Sequence, residues 1–275
     1  MKISMGNVWD RATDFLSDNM GVVVPIALLT IFLPSSLSAS IAPFAKQSPT
    51  ASMIVSAVGL VLTLIGLWGQ LAIIALATQQ RAGRGPAVRT ANARLLPLIG
   101  ISLLAVIAGF ALFVPIPVAL SLAGYDFRGA MGGQRVPVSG GVAMFVSVYG
   151  LLLLPLFLFL VARLSLLTPV VVRERRGVGA FKRSFVLTRG ITWKVIGVLI
   201  LYCIVFGVAM LAARTVFGSI FQLIAGGEGE ISLATVLTSV VVSVVQTSFF
   251  VLAAAFEGKL YLAVRDAREA IVESR

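Results

Sequence analysis

Six uninterrupted apolar stretches, each long enough to cross a bilayer, dominate this 275-residue chain; they run approximately over residues 21–42, 52–78, 95–124, 142–162, 193–213 and 231–256. About 20 apolar residues in a helix cover the hydrocarbon core. Lipid offers backbone N–H and C=O groups no partner, so each stretch must close its hydrogen bonds internally as a helix. The expected fold is therefore all-α: a polytopic integral membrane protein of six transmembrane helices, forming a single membrane domain over residues 1–275. The third stretch outruns the bilayer and contains Pro115 and Pro117, which must kink or end it.

Composition agrees with lipid as the solvent. The chain is 59% hydrophobic and 12% charged, whereas a soluble domain is roughly a quarter charged. Its 22 Lys and Arg against 11 Asp and Glu give a net charge of +11. In a polar chain that excess would suggest nucleic acid; here it points to anionic membrane lipids as partners, with a protein partner on the cytoplasmic face and no nucleic acid. Cytoplasmic loops are enriched in Lys and Arg. With the N-terminus inside, 18 of the 22 basic residues fall on the cytoplasmic side, and only Lys46, Arg128, Arg135 and Arg214 fall outside. Both termini are thus expected in the cytoplasm, which requires an even number of spans.

The first twenty residues lack an apolar core of their own. Met5, Val8, Trp9, Ala12, Phe15 and Leu16 recur on one helical face with Asp10, Arg11, Asp14 and Asp18 largely opposite. That pattern predicts an amphipathic helix lying in the membrane interface, or one packed on cytoplasmic loops. Similar segments precede the third and fifth spans, and a weak threefold repeat can be read from Gly6, Gly85 and Gly177: Arg11, Thr90 and Lys182 lie five residues on, and Leu16, Leu95 and Leu187 ten residues on.

The polar stretch 163–192 reads as a cytoplasmic basic elbow. Pro169 should break the helix leaving the fourth span, Gly177 and Gly179 permit a turn, and Phe181 and Phe185 face the membrane. Arg173, Arg175, Arg176, Lys182, Arg183 and Arg189 are the candidate lipid-head-group ligands, since each basic residue near an anionic surface contributes about 1 kcal/mol. A positive-inside loop with no binding role would have the same composition.

Arg163, Pro169, Glu174, Gly177, Ala180, Arg183, Ser184, Leu187, Thr188 and Gly190 resemble the signature loop of the glycerophosphoryl diester phosphodiesterase membrane domain family. Leu260, Tyr261, Leu262, Val264 and Arg265 are similar to that family's terminal element after its last span. The resemblance implies a bacterial inner-membrane protein, and here a free-standing membrane domain: about twenty residues follow Phe256 and no hydrolase barrel.

Counting excludes several chemistries. The chain has no His and one Cys, Cys203, which removes imidazole catalysis, His or multi-Cys metal sites and intrachain disulfides. No nucleotide-binding motif is present, and Asp10, Asp14 and Asp18 read as a solvated face rather than a cation site. Neither catalytic residues, nor a metal, nor a cofactor is expected. Two features inside the membrane stand out: a polar strip on the last span (Thr235, Ser239, Ser243, Gln246 and Thr247), and a candidate ion pair between Arg163 and Glu257. The strip suits close helix packing or a path for a polar solute, and Gly66, Gly69 and Gln70 offer a second such surface. The reading is a non-enzymatic membrane protein whose basic elbows bind anionic head groups, possible as a scaffold; the alternative is a permease-like subunit moving a lipid or other amphiphile.

Overall fold

A computed structural model describes residues 3–79, 84–131, 136–225 and 233–273. All regular structure among them is helical, and six helical runs are long and apolar enough to span a membrane: Met20–Lys46, Pro49–Thr78, Arg84–Leu122, Gly140–Glu174, Thr192–Ile224 and Leu233–Ala270. The chain is an all-α polytopic membrane protein. Arg81, Arg135, Glu228 and Arg275, which enter the charge count, lie outside the described residues.

The elements are α1 (Met5–Asp18), α2 (Met20–Lys46), α3 (Pro49–Thr78), α4 (Arg84–Ala111), α5 (Pro115–Leu122), α6 (Gly140–Leu164), α7 (Leu167–Glu174), α8 (Gly179–Thr188), α9 (Thr192–Ile224) and α10 (Leu233–Glu273). Pro115 has no N–H for the Ala111 carbonyl, so α4 stops there. The Leu112 carbonyl, left over in the break, accepts the Tyr149 hydroxyl at 2.7 Å. Pro169 acts as expected but earlier than its own position. It cannot donate to Ser165, so α6 ends at Leu164 and Pro169 sits in the first turn of α7, where no N–H is needed.

The bundle is packed at one end. Leu71 to Thr78, the last two turns of α3, are buried on every side by α10, α4 and α7. A helix apolar all round belongs at the centre of its neighbours. Around this pillar gather Ala87 and Ala91 of α4, Val170 to Val172 of α7, Ala180 and Leu187 of α8, and Leu260, Tyr261 and Val264 of α10. These are the segments that hold most of the positive charge, and we call this the basic end. At the opposite, distal end the helices leave large side chains uncovered: Phe110, Met144, Leu151, Leu211 and Leu223 are each exposed. With lipid as solvent such faces carry no penalty.

The N-terminal helix lies at the basic end. Ser4 caps α1 by accepting from the Asn7 N–H, and its apolar face is taken up by protein: Val8, Ala12 and Phe15 are buried against α10, the Trp9 and Phe256 rings lie 6.2 Å apart, and Lys259 Nζ sits 4.7 Å from the Phe15 ring centre. Trp9 alone of that core face stays substantially exposed. Of the three segments in the suggested repeat, α1 and α8 are separate helices, divided from their spans at Asn19 and at Gly190 (φ 93°). The second runs on into its span as α4, because nothing between Arg84 and Leu95 can turn the chain.

Candidate functional site

The elbow is a folded device. Glu174, at the end of α7, accepts from Arg183 Nε at 2.8 Å, from Arg176 Nε at 3.0 Å and from the Tyr261 hydroxyl at 3.2 Å. One carboxylate therefore ties α7 to α8 and both to α10. Arg268 of α10 donates to the Val186 carbonyl and, at 3.2 Å, to that of Arg189, placing a cation where the C-terminus of α8 presents unpaired acceptors. Ser184 Oγ donates to the Arg163 carbonyl at 2.7 Å, and Arg163 Nη1 returns a bond to the Phe185 carbonyl at 2.7 Å.

This arrangement redistributes the six predicted head-group ligands. Arg183 and Arg176 are drawn onto Glu174. Lys182 and Arg189 are exposed on α8 and at its end, apart from the rest. Arg173 and Arg175 turn the other way, toward α4, and with Arg89 and Arg94 line a groove of about 430 Å³ that also includes Gln79 and Thr90. No acidic residue lines it, and none of the four guanidinium groups has a hydrogen-bond or ion-pair partner among the described residues. Arg175 closes α7 in the left-handed region (φ 54°), a conformation costing a non-glycine residue about 1–2 kcal/mol. Arg89 and Arg94 were not singled out in the sequence. Their signal was present: both lie on the short amphipathic approach to the third span.

The Arg163–Glu257 pair does not form. Arg163 instead lies between the Phe159 and Phe185 rings, 5.1 and 5.5 Å from their centres, because α6 packs on α8 and α9 and so points this side chain at the elbow. Glu257 Oε2 is shielded from solvent without a hydrogen-bond partner among the described residues. The polar strip divides as well. Thr235, Ser239, Ser243 and Gln246 line one cavity, whereas Thr247 faces a groove between α2 and α10. Four residues advance a helix by about 400°, so an i, i+4 row drifts roughly 40° per step and its last member leaves the face.

The Glu174 latch leads to a stability prediction. Glu174→Gln removes the charge that holds Arg183 and should cost about 1–3 kcal/mol. Tyr261→Phe, which deletes one hydroxyl bond, should cost about 1 kcal/mol. Thermal unfolding in detergent micelles measures both, and equal losses would mean the carboxylate is no hub.

Fold and site together define a class: a six-span, all-α membrane protein with an ordered basic elbow at its packed end. Within that class the chain belongs to the family described as a domain of unknown function, DUF7847, which it matches over residues 5–263. No curated protein and no solved structure matches it.

Proposed function

We propose that this protein binds anionic lipid head groups in the groove between α4 and α7, as a non-enzymatic protein of the bacterial inner membrane with its basic end in the cytoplasm. The supporting observation is the set of four arginines, from segments about eighty residues apart, that line one groove with no acid among them. Neighbouring arginines are neutralised by Glu174; these four keep their charge for an outside partner. A phosphate accepts two parallel N–H bonds from a guanidinium, so arginine rather than lysine suits this geometry. The likeness of the elbow to glycerophosphoryl diester phosphodiesterase membrane domains belongs to this reading and adds no hydrolytic step to it.

Vesicle flotation tests the proposal. The protein in detergent should associate with phosphatidylglycerol vesicles in preference to phosphatidylcholine, with a preference that shrinks as salt rises; equal partition into both at low salt refutes it.

Orientation is checked separately, in a Cys203→Ser background because Cys203 is exposed. Cysteines placed at Arg84 and Arg175 should resist an impermeant thiol reagent in intact cells, and one at Lys46 should react. Labelling at position 175 from outside would invert the topology and with it the leaflet assigned to the groove.

A further inference from the structure

The two polar surfaces singled out in the sequence, one on α3 and one on α10, meet at a single residue. A cavity of about 400 Å³ lies between α9 and α10, bounded by Arg214, Gln222, Ser239, Ser243 and Gln246. A second, of about 450 Å³, lies between α2, α3 and α10, bounded by Thr30, Ser35, Thr63, Gln70 and again Gln246. Gln246 is thirteen residues above Lys259, roughly 20 Å along the helix, which places the junction near mid-membrane; Arg214 is 22 residues above Thr192, roughly 33 Å, at the distal interface.

Three observations indicate that these chambers hold a guest. The hydroxyl of Ser243, only 2% exposed and lining the outer chamber, has no hydrogen-bond partner among the described residues, and the carboxamides of Gln70 and Gln246 have none either. Unpartnered polar groups at this depth are costly, since lipid cannot satisfy them. Each chamber also borders a π-helical turn: Leu28–Phe32 brings Thr30 to the inner chamber, and Ala213–Phe217 brings Arg214 to the outer one. Such turns recur at functional sites because they re-aim side chains within a helix. Finally, the path has a floor. Below Gln70 the pillar Leu71 to Thr78 is buried on all sides, so the chambers open toward the distal end and stop above the basic end.

The lining chemistry selects the guest. Arg214 is the only charged group on either wall, and the remainder is amide, hydroxyl and aliphatic surface. Cations are disfavoured. We propose that the joined chambers bind an amphiphile with an anionic head group, which Arg214 draws in from the distal leaflet and Gln246 and Ser243 hold by hydrogen bonds. This site is separate from the basic groove at the other end of the molecule.

Native mass spectrometry of the delipidated full chain, offered phosphatidylglycerol and phosphatidylcholine together, tests it. The experiment is run on a chain whose groove arginines Arg89, Arg94, Arg173 and Arg175 are all Gln, so that the outcome is independent of the groove. That chain should keep a preference for phosphatidylglycerol. Adding Arg214→Gln should lower the preference about fivefold, the equivalent of one basic residue at an anionic surface. Ser239→Trp fills the outer chamber without touching a charge and should abolish the bound lipid; Ser239 bonds only to the Val236 carbonyl of its own helix, so the bundle does not depend on it. A preference unmoved by both changes overturns the proposal. So does displacement of the lipid by soluble glycerol phosphate at equal concentration, which would mark a site for a free anion.

Discussion

Replacing Arg89, Arg94, Arg173 and Arg175 together by Gln should weaken association with phosphatidylglycerol vesicles by on the order of a hundredfold at low salt, given about 1 kcal/mol for each basic residue near an anionic surface and incomplete additivity. The same number of changes at Arg176, Lys182, Arg183 and Arg189 should have a much smaller effect on binding, because two of those residues already face Glu174. Flotation across a salt series measures both, and equal losses would show that total charge matters and the groove does not. Arg175→Gly separates binding from folding within the groove. Glycine is at ease at φ 54°, so this variant should be at least as stable as the parent while binding anionic vesicles less well.

Gly69→Ala should destabilise the bundle by about 1–3 kcal/mol, although alanine in a helix ordinarily stabilises by up to about 1 kcal/mol. A Cβ at Gly69 would collide with the Thr30 side chain, which its bond to the Ile26 carbonyl holds in place at 2.7 Å. Thr30→Ala removes the obstructing atoms. The double variant should therefore recover most of the loss and prove more stable than Thr30→Ala alone, reversing the sign of the glycine substitution. Unfolding in micelles across the four chains of this cycle gives the coupling directly, and additive effects would mean that α2 and α3 are not in close approach.

The six spans were legible because hydropathy over twenty residues is a sum, and no single side chain decides it. The break at Pro115 was legible for a different reason: proline lacks the N–H whatever surrounds it. What failed were statements about which way a side chain points. Arg163 and Glu257 lie at the same depth, so their charges suggested a pair, but depth leaves the rotation of each helix open, and Arg163 is turned onto Phe159 and Phe185. The elbow shows the same limit. Its six basic residues form one cluster in sequence and three groups in space, because Glu174, the only acid in that stretch, captures its neighbours at i+2 and i+9. Arg89 and Arg94 join Arg173 and Arg175 only through the packing of α4 on α7, a pairing that no local pattern encodes.

A bundle clamped at one end and open at the other is mechanically a set of levers. A twenty-residue span is about 30 Å long, so a tilt of roughly 10° about the clamp moves its free tip by about 5 Å. The pivot residues around Leu71 to Thr78 need not repack for this to happen. Helices respond to bilayer thickness by tilting, each ångström of mismatch costing only a fraction of a kcal/mol. The membrane itself thus sets the spread of the free tips: a thin bilayer splays them and a thick one gathers them, while the clamped end keeps its shape.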